Sequence, residues 1–127
     1  MQSVKVYRMR NGSRSQVFDG KVAKTWWERM RGLLGSSTLG EREALVIAPC
    51  SSVHTFGMAY DIDVAFLDKT GRVIKCREHL SPRGFAGAWG GRSVLETAGG
   101  ALRKADIQSG DRIYWCERAD KNCGGGD

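Results

Sequence analysis

Apolar and polar positions alternate over residues 4–9, VKVYRM, a strand pattern that ends at the turn-forming pair Asn11-Gly12. A second short strand is predicted over 15–18, SQVF. The pattern then changes period. Thr25-Trp-Trp-Glu28 has the form of a capping box, and Trp26, Met30, Leu33 and Leu34 follow at helical spacing up to Gly35. The paired tryptophans fit a helix anchored on a sheet. The run Ala44-Leu-Val-Ile-Ala48, closed by Pro49, reads as a strand buried on both faces. Ile62–Leu67 is another strand, and Asp68-Lys-Thr-Gly71 turns it into residues 72–77. After the long loop SPRGFAGAWGG (81–91), short strands are predicted over 93–97 and 112–117, with a helical turn near 100–105 between them.

These elements specify a mainly β (β-rich α+β) protein with one short capped helix. Strands succeed one another too closely for helical crossovers, so the sheet is expected to be mainly antiparallel, as a sandwich or barrel. A length of 127 residues suits one domain, expected over 1–117, with 118–127 as a disordered tail. No run approaches the roughly 18 apolar residues of a membrane span, and the first residues lack a signal-peptide pattern. The expected address is cytoplasmic, and the expected state is monomeric.

Charge changes the picture only locally. Residues 1–34 hold eight Lys/Arg against two acids, which accounts for the whole net charge of +6. A nucleic-acid contact through this basic N-terminal third is a second alternative. No RNA-binding motif accompanies it, however, and a solvated basic face explains the pattern as well. Cys50, Cys76, Cys116 and Cys123 never form C-x-x-C and are expected to be free thiols, with Cys123 the most reactive.

The chemistry concentrates in CSSVHTFGMAYDIDVAFLD, residues 50–68. Along 62–67, Ile62, Val64 and Phe66 point one way and Asp63, Ala65 and Leu67 the other. Both faces are apolar, so the Asp63 carboxylate begins in or beside a core and needs donors. The preceding turn and His54 are its nearest partners in sequence, and a structural role for Asp63 has the better prior. Cys50 with His54 could instead form a nucleophile and base, oriented by Asp63. A Cys50/His54/Cys76/His79 zinc set is weakly spaced, and neither metal nor cofactor is expected. Glu96 is a further strand carboxylate.

The segment His54-Thr55, Gly57-Met58, Ile62-Asp63-Val64, Phe66-Leu67-Asp68, together with Gly32-Leu33, Val94-Leu95-Glu96, Gly99 and Gly110-Asp111, resembles the bacterial and archaeal family called domain of unknown function 192. The resemblance runs from about Thr25 to Trp115. It implies a β-rich fold of jelly-roll type and no particular activity. At Ala59-Tyr60-Asp61 the chain departs from the basic, aromatic and proline residues of many relatives. The resulting expectation is a small bacterial binding or accessory module for a small-molecule or protein partner. Its ligand site would comprise His54, Thr55, Met58, Asp63, Phe85, Trp89 and Glu96. The alternative is a hydrolase or metal-dependent enzyme using His54, Asp63 and Cys50.

Overall fold

The computed structural model describes residues 2–24, 39–54 and 60–117, with the side chain of His54 excepted. The elements are β1 (Gln2–Arg10), β2 (Ser13–Ala23), β3 (Glu43–Ile47), β4 (Ser52–His54), β5 (Ile62–Leu67), β6 (Val73–Leu80), β7 (Phe85–Gly87), β8 (Ser93–Ala98), the short helix α1 (Ala101–Lys104) and β9 (Arg112–Glu117). The expected helix at Thr25–Gly35, with Trp26 and Trp27, and the expected tail both lie outside the described residues.

Seven strands form one sheet in the order β6-β5-β8-β3-β2-β1-β9, and β4 pairs with β7 separately. The mainly β, mainly antiparallel expectation therefore holds. One pair departs from it: β2 and β3 run parallel, from Asp19 opposite Glu43 to Ala23 opposite Ile47. β2 is also longer than its pattern indicated. It continues through Gly20, where a side chain would meet the Ala44 carbonyl oxygen at 3.0 Å and a Val6 methyl at 3.3 Å. Glycine here serves close strand approach and not a break.

The sheet curls without closing fully. Its margins touch where Arg72 bridges Arg112, with Ile113 N–H donating to Gly71 O and Val73 N–H to Asp111 O, both at 2.8 Å. Alternation along each strand divides the apolar side chains into two cores. Val4, Val6, Phe18, Val46, Leu67, Leu95 and Ile113 fill the concave side, with Leu102 and Ile107 packed in from α1 and the turn after it. On the other face of β3, β8 and β5, Leu45, Ile47, Val64, Phe66 and Val94 are covered by Val53 of β4 and Ala86 of β7. Neither β4 nor β7 was predicted.

Two arginines of the basic N-terminal third are used internally. Arg10 donates through Nε and a terminal nitrogen to the two oxygens of Asp111, each at 2.7 Å, and Arg8 donates to Ala105 O at 2.7 Å. Burial pushes the Asp111 carboxyl up, but Arg10 and the Gln108 N–H outweigh it and hold it below the ordinary value.

Cysteine usage corrects an expectation. Cys50 and Cys76 are free, whereas Cys116 is disulfide-bonded. Cys116 sits half-exposed on an edge strand, where another cysteine can reach its sulfur. Persistent disulfides belong to oxidising surroundings, so Cys116 lends no support to a cytoplasmic address. Alkylation after unfolding without reductant is expected to label Cys50 and Cys76 and to spare Cys116. Peptide mass mapping reads this directly, and a labelled Cys116 would refute it.

Candidate functional site

Asp63 is fully buried, with 0% exposure, and its partners come from remote parts of the chain. Its Oδ1 accepts from His79 N–H at 2.8 Å, and its Oδ2 accepts from Gly100 N–H at 2.9 Å and Leu102 N–H at 3.1 Å. One carboxylate thus ties the start of β5 to the end of β6 and to the turn into α1. Both of its oxygens are directed at backbone donors, the kind of partner a carboxylate in an apolar strand requires. Neighbouring Ala65 and Leu67 belong to the concave core.

Glu96, also at 0% exposure, stands on the opposite face. It lies across from Val64 on one side and Leu45 on the other, both in the outer core. Asp63 and Glu96 therefore do not share a cleft. Glu96 belongs with the β4–β7 layer and with Tyr60, which packs on the same core. Burial raises the Tyr60 phenol above its usual value; the Leu39 backbone pulls it back, and the Glu96 charge adds to the rise.

Among the other sequence candidates, His54 ends β4 opposite Phe85, the first residue of β7. The His54 side chain, Thr55 and Met58 lie outside the described residues. Cys50 packs against the outer core and its thiol donates to Ser52 O at 2.9 Å. Cys76 packs against the concave core, so the sheet separates these two thiols and they cannot hold one ion. Among the described residues no three His, Cys, Asp or Glu side chains cluster as metal ligands. No helix among them is long and apolar enough to cross a membrane.

Sequence reasoning missed one polar pair. His79 Nδ1 lies 2.6 Å from Asp61 Oδ2, and Gly99 packs against both. A side chain at Gly99 would meet Nδ1 at 2.9 Å and Oδ2 at 3.0 Å, so only glycine leaves room for the pair. Hairpin register alone does not reveal it: Ile62 faces Leu80, which puts Asp63 opposite His79, and Asp61 reaches His79 only diagonally, beside the register irregularity after Ile62. The hydrogen bond from Asp61 raises the His79 imidazole above its ordinary 6.5, and the same bond lowers Asp61. An NMR titration should place the His79 midpoint above 6.5, returning towards it in Asp61→Asn. With a raised folded-state pKa for His79 and a lowered one for Asp61, the pair's stabilisation is complete between the ordinary carboxylate range and pH 6.5. It fades as pH rises through the folded His79 midpoint, and is lost again where acid protonates Asp61. An unchanged midpoint in Asp61→Asn would show that the pair does not form in solution.

Among the described residues the aromatic segment is the most exposed apolar part. Trp89 is completely exposed (101%) and Phe85 largely so (66%). Gly90, at φ +81°, and the Gly91 N–H bond to Ala88 O at 3.1 Å shape the turn that presents Trp89. Lys75 Nζ donates to Gly87 O at 2.7 Å and Ala88 N–H to Ser51 O at 3.1 Å, holding the segment against β6 and against the chain just ahead of β4.

The model of the DUF192 family, described as "Uncharacterized ACR", matches residues 7–115. A UPF0127 protein of Thermococcus gammatolerans is 32% identical over 112 residues, covering 83% of this chain and 72% of that protein. A second, from Thermococcus sibiricus, is 32% identical over 113 residues with the same coverage. The crystal structure of a protein of unknown function from Novosphingobium aromaticivorans shares the fold, with a TM-score of 0.76 and 24% identity over 91% of this chain and 86% of that one. The similar proteins span archaeal Thermococcus as well as Novosphingobium, so similarity does not assign this chain to bacteria, as the sequence reading had expected.

Proposed function

The chain belongs to the DUF192 family, and on that premise we propose that it is a small binding module whose recognition face is the Phe85–Trp89 segment beside β4. One observation carries this reading. The large apolar side chains exposed among the described residues, Ile74, Phe85 and Trp89, come from β6 and from the 85–89 segment held against it. Ile74 Cδ1 lies 3.9 Å from the place a side chain would take on Gly90, so it borders the turn that presents Trp89. Aromatic rings held in water on a fixed frame are the composition of a contact surface for a small molecule or protein. The hydrolase alternative gains nothing here. The Cys50 thiol is directed at a backbone carbonyl, and Asp63 is occupied on the far face. The nucleic-acid alternative loses the charges of Arg8 and Arg10 to internal partners.

The double variant Phe85→Ala/Trp89→Ala is expected to keep its stability within about 0.5 kcal/mol, as exposed positions do. Small-molecule and peptide arrays probed with both proteins provide the test. Ligands retained by the natural chain should bind the variant with a loss of about 2 kcal/mol or more, the scale of an aromatic hot spot. Equal binding by the two proteins would place recognition elsewhere.

A further inference from the structure

We infer that a second ligand site, distinct from the aromatic face, lies at the end of the curled sheet opposite α1, and that it takes a small planar ring bearing a carboxylate or phosphate. The strand directions locate it. Asp63, at the start of β5, is tied to α1, whereas Asp68 follows the end of β5, and Ser93 opens β8 far from the helix that succeeds it. At this end a cavity of about 370 Å³ is bordered by the β5–β6 turn, the entry to β8 and the middle of β9. The mouths of curled β-sheets are common places for small ligands.

The lining divides into charge and ring. Lys69 and Arg92 are exposed, and neither side chain forms an ion pair or hydrogen bond among the described residues. The carboxylate between them, Asp68, is committed to its own turn: its Oδ1 accepts from Thr70 N–H at 2.8 Å, Thr70 Oγ1 at 2.7 Å and Arg72 N–H at 3.0 Å. Two cations therefore border the cavity against one carboxylate, whose Oδ1 is committed to the turn. Trp115 supplies the ring. It is half-buried, packs on the concave core and lines the cavity. Tyr114 beside it is already stacked on Tyr7, with ring centroids 5.3 Å apart. An anionic group on Lys69 and Arg92 with a flat ring towards Trp115 uses both halves of the lining, and a guanidinium suits carboxylate and phosphate alike.

Titration with benzoate and with phenyl phosphate tests the site, read from the indole N–H signal of Trp115 and assigned with Trp115→Phe. A saturable shift with either probe is expected, with inorganic phosphate at least about tenfold weaker for lack of a ring to stack. Lys69→Gln/Arg92→Gln should keep the melting temperature and weaken binding at least about tenfold, the loss of charge-assisted hydrogen bonds. Arg103→Gln, on α1 at the other end, should leave binding unchanged, as should Phe85→Ala/Trp89→Ala. The absence of a saturable Trp115 shift with both probes would overturn the inference. So would equal weakening by Arg103→Gln, which marks diffuse attraction, or inorganic phosphate binding as tightly as the aromatic anions.

Discussion

Replacing Asp63 by alanine is expected to destabilise the fold by about 3–5 kcal/mol, the largest effect of any single polar substitution considered. The carboxylate is inaccessible to water and receives N–H groups from His79, Gly100 and Leu102. Removing it strands these donors where water does not reach, and each buried donor left without an acceptor costs about 1–3 kcal/mol before relaxation. His79 adds to the requirement, because its backbone is held at φ +51° and the Asp63 bond helps to keep it there. Asparagine keeps the shape but turns an NH₂ group towards a donor, so Asp63→Asn should lose a smaller amount, about 1–3 kcal/mol. Urea denaturation of the three proteins measures this. A loss below 1 kcal/mol in the alanine variant would mean that the β5–β6–α1 junction is held by its apolar contacts alone.

Gly71→Ala is expected to cost about 2–4 kcal/mol, chiefly through backbone geometry. Gly71 has φ +86°, and a Cβ there would sit 2.6 Å from the Ile113 carbonyl oxygen, a backbone atom that cannot swing aside. The turn must either strain or withdraw from β9. Withdrawal breaks the Ile113 N–H bond to Gly71 O and loosens the Val73 contact with Asp111, the contacts that bring the sheet margins together. Hydrogen exchange should show faster exchange at Ile113 and Val73 in the variant, even where global stability is restored by osmolyte. A variant indistinguishable from the natural protein in both measurements would show that the margins are not joined in solution.

How much of this was legible in the sequence depended on the range of the interactions. Alternation identified β1, the apolar run at Ala44–Ala48 identified β3, and the turn at Asp68–Gly71 joined β5 to β6, because such patterns follow from which faces are buried and where the chain must turn. β4 and β7 escaped because each has only three residues and buries one apolar side chain, Val53 or Ala86. The parallel β2–β3 pairing left no local trace, since parallel and antiparallel neighbours bury the same residues. At the site, the need of Asp63 for donors was readable from its apolar strand, but their identity was not. The donors lie 16, 37 and 39 residues away, whereas sequence proximity favoured His54. That Asp63 and Glu96 face opposite sides followed only from the pairing of Val64 with Glu96. The exposed aromatics were visible as composition in the long loop; their alignment with Ile74 required the fold.

The pairing of β1 with β9 has a consequence for how the chain is made. Val4 lies opposite Glu117, so β1 waits for a strand synthesised much later before its outer edge is covered. On the ribosome, the β1–β2 hairpin forms early and presents an open row of backbone donors and acceptors throughout that interval. A second nascent chain on the same message offers the same β9 sequence. Exchange of that strand between neighbouring copies would satisfy every hydrogen bond of the native sheet. Chaperone dependence and strand-swapped dimers should therefore increase with the density of ribosomes on the message, independently of the stability of the finished fold.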